Sequence, residues 1–363
     1  MSIAGVIHDR PTRLAELVTA AELDLLLIID LVNVRYLTGY TGSNGLALIG
    51  PDVRRFITDF RYLEQSADEV DPSFDRVQAP VDLFEGLVGC LPGAALRLGF
   101  ESAHTSVRQH ASLRERLPQE VELVATADLV ESLRAVKDAA EVATIRAASA
   151  LADASLQRVL HDGLAGRTER EVAIALEHDM VLRGAHRPSF ETIVAAGPHG
   201  ARPHAQPRDL EIRRGDLVVI DWGAVLDGYC SDCTRTVAAG EPTADAREIY
   251  ELVLDAQRAG LGAVRADRAA ADVDAVARDI IVGAGHGDEF GHGLGHGVGL
   301  DVHEAPALRR RSKDQLQAGN VVTVEPGIYL AGRFGVRIED LVVVTEGEPE
   351  VLTSVSKELL IVG

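Results

Sequence analysis

The chain is short of cysteine, with only Cys90, Cys230 and Cys233 in 363 residues. A disulfide framework is thereby excluded, and a reducing interior is the expected home. It is also short of positive charge: 36 Lys and Arg stand against 56 Asp and Glu, a formal charge of -20. Such a surface repels phosphate backbones and anionic lipid heads, so neither nucleic acid nor membrane is an expected partner. No apolar run is long enough to cross a bilayer, and the opening MSIAGVIHDRPTRLAEL lacks an apolar core of signal-peptide length. A cytoplasmic protein acting on small soluble substrates is the expectation. What the chain does have is a 46% hydrophobic fraction, enough for two domains with their own cores.

Residues 1–132 read as a small α/β domain. A helix is expected from about Thr12 to Ala21, followed by strands at Leu25–Ile29, Leu46–Ile49, Arg55–Thr58 and Leu96–Phe100. The glycine-rich Gly39–Gly45, GYTGSNG, lacks the closing Lys and Ser/Thr of a phosphate loop and reads as a turn. From residue 133 to 363 the pattern changes to long amphipathic helices. Asp138 with Glu141, Thr168 with Glu171, and Asp245 with Glu248 have capping-box spacing and predict three helix starts. A fourth helix runs from about Asp272 to Val282 and ends at Gly283. Each helix pair precedes an apolar two-strand element, Leu217–Val237 and Val321–Val344, so the unit helix, helix, hairpin occurs twice.

The densest signal is Phe290–Glu304, FGHGLGHGVGLDVHE. Glycine at every second position excludes a helix. In an extended chain His292 and His296 are separated by roughly 13 Å, too far to share one metal unless the chain bends. We assign His296 as the ligand and His292 to a supporting place, with His303 arriving by a turn. In the first hairpin, Asp227–Gly228 is a strong two-residue turn signal. It sets a register in which Asp221 faces Thr234 and Asp232 faces Gly223, so both carboxylates share a face. The second hairpin carries Glu325 and Glu339 in equally apolar surroundings. Four carboxylates in such strands are costly without a cation between them. With one imidazole they form a hard, oxygen-rich set suited to Mn²⁺, then Co²⁺, Fe²⁺ or Zn²⁺. The charge calls for two ions roughly 3.5–4 Å apart, bridged by Asp232 and Glu339.

The order DWGA, YCSDCTRT, HGLGHGVGLDVHE, TVEPGIY and GVRIED resembles the pita-bread metallopeptidases, in the branch of aminopeptidase P and prolidase. NVRYLTGYTGSNG is similar to the creatinase-like N-terminal domain of that branch. The resemblance implies an α/β (α+β) fold, a creatinase-like domain followed by a pseudo-symmetric pita-bread catalytic domain. It implies Asp221 on one metal, His296 and Glu325 on the other, and Asp232 and Glu339 as bridges. Glu325 would be the proton shuttle and His303 would stabilise the tetrahedral intermediate. His204, in AAGPHGARPHAQP, would touch the substrate near the leaving proline, and His292, Tyr329 and Arg337 would support the site. A homodimer acting on short proline-containing peptides is the further implication.

Cys230 and Cys233 imitate half a zinc knuckle, but no second pair exists and strand alternation puts the sulfurs on opposite faces; core packing accounts for them better. The basic run Arg309–Arg311 with Lys313 reads as a solvated loop that could also meet a substrate carboxylate. The primary reading is therefore an Xaa-Pro aminopeptidase, and the alternative is an Xaa-Pro dipeptidase. A non-catalytic peptide-binding module on the same fold is the more distant reading, disfavoured because no ligand is missing.

Overall fold

A computed structural model describes residues 9–80, 82–92 and 95–363. The chain divides into two compact units, residues 1–134 and 135–363. In the first unit, strands Leu25–Ile28, Leu46–Gly50, Val53–Thr58, Asp75–Gln78, Leu96–Glu101 and Val121–Thr126 form one mixed six-stranded sheet. Its first helix is Arg10–Ala20, opening two residues before the expected start because Pro11 sits in its first turn, where the missing N–H costs nothing.

The second unit is built as two halves of matching order. In the first half, helices Ala139–His161 and Glu169–Leu182 precede a hairpin whose strands include Leu217–Trp222 and Cys233–Ala239. In the second, helices Ala244–Ala263 and Ala270–Gly283 precede a hairpin from Val321 to Val343. Two capping boxes are fully formed. Asp138 accepts from the amides of Ala140 and Glu141 while Glu141 accepts from Asp138, and Thr168 and Glu171 do the same. The third start differs from the expected Asp245: the helix begins at Ala244 and Thr243 is its cap, accepting from Ala246 at 3.4 Å. The hydroxyl at 243 pre-empts the carboxylate at 245, which instead pairs with Arg333.

Both hairpins keep one register throughout. Asp227 and Gly228 adopt left-handed φ of 47° and 85°, as a two-residue turn requires. Asp221 lies opposite Thr234 and Val225 opposite Cys230. In the second hairpin Val324 pairs with Asp340 and Gly327 with Arg337, which leaves Glu325 opposite Glu339 at the interruption between the two ladders.

Alternation then sorts the faces. Val218, Ile220 and Trp222 turn toward the first helix pair, where the buried Trp222 indole donates to Ala152 O at 2.9 Å. Val322, Val324, Ile328 and Val336 turn toward the second pair. Asp221, Thr234, Thr323, Glu325, Arg337 and Glu339 are left on the opposite faces. The hairpins meet there: the Glu339 amide donates to Thr234 O, and the Arg337 amide to Thr236 Oγ1.

Candidate metal centre

The glycine-rich stretch is a strand only over Gly295–Gly297, which pairs with Glu304–Leu308 on one side and with Val322 on the other. Its glycines are there for backbone approach. A Cβ on Gly295 would stand 2.0 Å from Thr323 O, and one on Gly297 2.2 Å from Ala305 O. Residues ahead of this strand are held by an ion pair one turn apart on the helix Ala270–Gly283. Asp274 accepts from the Leu294 amide, while Arg278 donates to the carbonyls of Phe290 and His292. That pair was not singled out in the sequence, although its i,i+4 spacing on a helix was a usable signal.

His296 donates from Nδ1 to Gly297 O at 3.1 Å, which fixes the tautomer and leaves an Nε2 lone pair. That Nε2 lies 3.6 Å from Asp232 Oδ2 and 3.4 Å from Glu325 Oε1. Asp221, Asp232 and Glu339 each offer an oxygen within 4.8 Å of the others. His303 follows a turn and brings its ring to 4.2 Å from that of His296. His204 and His303 are exposed to the same cavity of about 570 Å³, which all five candidate ligands, His292 and Arg337 also line. The structure thus draws nine of the ten singled-out side chains to one cavity wall. The tenth, Tyr329, stands behind it, accepting from Arg337 Nη1 at 2.9 Å and donating to His292 Nε2 at 2.8 Å.

The electrostatics ask for cations. Burial, then the charges of Glu339, Asp221 and Glu325, pushes the Asp232 carboxyl well above its usual range. Burial, then Glu325 and Asp221, does the same to Glu339. Glu325 is raised chiefly by burial, with His292 and Arg337 pulling the other way. Asp221 Oδ1 and Glu339 Oε1 are buried with no hydrogen-bond partner. Among the described residues, one Lys or Arg side chain does reach the cluster. Arg337, not foreseen as a counter-charge, places Nη2 2.6 Å from Asp221 Oδ2. A single guanidinium against four carboxylates leaves the cluster anionic, and a hard-oxygen donor set with orphaned oxygens fits divalent metal.

Comparison with known proteins agrees. Residues 143–346 match metallopeptidase family M24, and residues 10–136 match the creatinase/prolidase N-terminal domain. The chain belongs to metallopeptidase family M24. A solved structure titled Xaa-Pro dipeptidase from Bacillus anthracis is 38% identical over 98% of this chain and all of its own, with a TM-score of 0.95. An X-Pro aminopeptidase from Thermotoga maritima is 35% identical with the same coverages and a TM-score of 0.89. A protein named Xaa-Pro dipeptidase from Pyrococcus furiosus is 35% identical, covering 97% of this chain and 99% of its own. The creatinase-plus-pita-bread architecture expected from the motifs is therefore that of this M24 peptidase.

Cys230 and Cys233 of this M24 peptidase are buried and inert. Burial pushes the Cys230 thiol up to about 12 and also raises Cys233 well above the ordinary thiol range, so neither is a thiolate for metal or redox work. Arg235, on the far face as expected, is not idle: it donates to the backbone carbonyl of Glu339 and pairs with Asp340 at 3.0 Å, bracing one carboxylate from behind. Phe190, Ile193, Pro203 and Pro207 give the cavity an apolar wall. No helix of the described residues is long and apolar enough to cross a membrane.

Proposed function

We propose that the chain is a dinuclear metal-dependent Xaa-Pro dipeptidase, with Mn²⁺ as its working ion. The observation that carries the dipeptide preference is Arg309. It lines the cavity, and its side chain has no hydrogen-bond or ion-pair partner among the described residues. A dipeptide presents a free carboxylate near the scissile bond, and an unpaired guanidinium at the cavity wall suits it. Relatives named Xaa-Pro dipeptidase support this over the aminopeptidase reading made from sequence. The Thermotoga X-Pro aminopeptidase structure supports the second reading, removal of a residue before proline in longer peptides.

Asp221, Asp232, His296, Glu325 and Glu339 would hold the two ions. When bound, these would supply a nucleophilic water at neutral pH and polarise the scissile carbonyl. The remaining work belongs to the side chains. Glu325 Oε1 accepts from Thr323 Oγ1 at 3.2 Å, and burial has raised its affinity for a proton. It can take the proton of the attacking water and pass it to the proline nitrogen, which leaves poorly unless protonated. His303 donates a hydrogen bond to the oxygen on which negative charge grows. His204 and the Phe190, Ile193, Pro203 and Pro207 wall receive the pyrrolidine ring, whose tertiary amide has no N–H to satisfy.

Short proline peptides, a homodimer and a cytoplasmic setting belong to the same proposal. The test is turnover of Xaa-Pro against Xaa-Pro-Yaa peptides by protein re-supplied with Mn²⁺. Higher kcat/KM on the dipeptide supports the proposal, higher values on the tripeptide favour the second reading, and no hydrolysis of either contradicts both.

A further inference from the structure

Glu169 is a glutamate with no solvent exposure, at the start of the helix that follows the Thr168 cap. Its contacts run to residues 196–208. Its Oε1 accepts from the Ala196 amide at 2.9 Å, and its two oxygens accept from His199 Nδ1 at 3.0 and 2.9 Å. Oε2 also accepts from the Arg208 amide at 3.0 Å and from Arg208 Nε at 3.3 Å. One carboxylate therefore binds both ends of a loop twelve residues apart, the arrangement of a compact Ω-loop. Helix backbone reinforces the seam, since the Glu169 amide donates to Leu210 O and the Arg170 amide to Arg208 O.

The middle of this loop is the stretch that lines the cavity: Pro203, His204, Ala205, Gln206 and Pro207. Its first half lies against the second hairpin, where a Cβ on Gly335 would stand 1.9 Å from Gly200 O. Beyond that its tie to the site is slight, Arg337 Nη1 donating to Pro203 O at 3.3 Å. His204 itself is exposed and held by no side-chain hydrogen bond.

We infer that Glu169 is the positioning residue of this loop, clamping its two ends so that His204 and the proline pair face the substrate. The inference rests on the proposed peptidase reading for its kinetic part only; the clamp itself is a statement about the loop. Carboxylate chemistry is essential to it, because one group must accept from five N–H donors, two of them on a guanidinium. An amide at this position keeps the size but has a single acceptor oxygen and turns two donors of its own on the others.

The experiment compares wild type, Glu169→Gln and Arg208→Gln, all Mn²⁺-supplied, by hydrogen exchange and by steady-state kinetics on an Xaa-Pro dipeptide. In Glu169→Gln, amides of residues 196–208 should exchange at least about tenfold faster while strands 217–222 and 321–324 keep wild-type protection. KM should rise about tenfold with kcat within about threefold, because the chemistry is untouched. In a His204→Ala background the same substitution should raise KM by less than about threefold, since both act through one contact. Arg208→Gln, at a half-exposed side chain, should give the same pattern more weakly and serves if Glu169→Gln does not fold. Unchanged exchange in the loop, loosening spread equally over all strands, or KM effects that simply multiply in the double variant would overturn the clamp. If wild type cleaves no proline peptide, the functional proposal fails and the exchange comparison still decides the clamp.

Discussion

Replacing Arg337 by Met separates the metal account from any purely structural one. The guanidinium is buried and makes four contacts: Asp221 at 2.6 Å, Tyr329 at 2.9 Å, Thr234 at 3.0 Å and Pro203 O at 3.3 Å. With an effective dielectric constant near 20, the Asp221 pair alone is worth about 6 kcal/mol of attraction. Allowing for desolvation, breaking a buried pair from one side costs about 3–5 kcal/mol. That figure applies when Arg337 is the cluster's one close cation, which is the metal-stripped protein. With metal bound, Asp221 and Glu339 have another counter-charge, and the loss falls to hydrogen bonds worth about 1–3 kcal/mol. Thermal unfolding of Arg337→Met and wild type, in chelator and again in excess Mn²⁺, reads the difference. At about 2–4 °C per kcal/mol, the difference of about 2 kcal/mol means the variant should lose about 4–8 °C more in chelator than in Mn²⁺. Equal losses in the two conditions would refute the claim that metal and guanidinium answer the same carboxylates.

Other outcomes follow from named contacts. His303→Ala should lower kcat by about 10²–10³ while metal content stays at wild type, measured by elemental analysis beside the assay. Gly295→Ala should abolish folding of the second unit or lower its stability by more than about 3 kcal/mol in denaturant titration, since its Cβ would collide with Thr323 O. For Glu169, burial raises its pKa but donors from Arg208, the Ala196 amide and His199 outweigh it, so the folded value lies below 4.5. A depressed carboxyl stabilises above its unfolded pKa and loses that contribution as pH falls through the folded one. The stability gap between wild type and Glu169→Gln should accordingly be full at pH 7 and shrink below about pH 4.5; a gap that grows in acid would count against the pairing.

Much of the site was legible because the constraints on it are local. The Asp227–Gly228 turn and strict alternation place Asp221 on one face of its hairpin, and every later residue of that hairpin inherits the register. Two of three helix starts were readable from a short oxygen with a glutamate three residues on. The third misled because two candidate caps stood two residues apart, Thr243 and Asp245, and only packing chooses between them. What was not legible is long-range. Arg337 reaching Asp221 depends on two hairpins about a hundred residues apart packing together, and Glu169 reaching the ends of a loop about thirty residues away leaves no periodic trace. The Phe290–Leu294 segment also departed from the extended form that its alternating glycines suggested. Arg278 and Asp274 hold it by its backbone groups, and a strand forms only where Gly295 and Gly297 admit neighbouring chains.

The most direct measurement is metal stoichiometry by elemental analysis on protein stripped, re-supplied with Mn²⁺ and dialysed, with Glu339→Gln alongside. The account predicts two ions per chain in wild type and a loss of at least one in the variant, because Glu339 is buried beside both Asp221 and Asp232. One ion or none in wild type, or an unchanged count in Glu339→Gln, would contradict it.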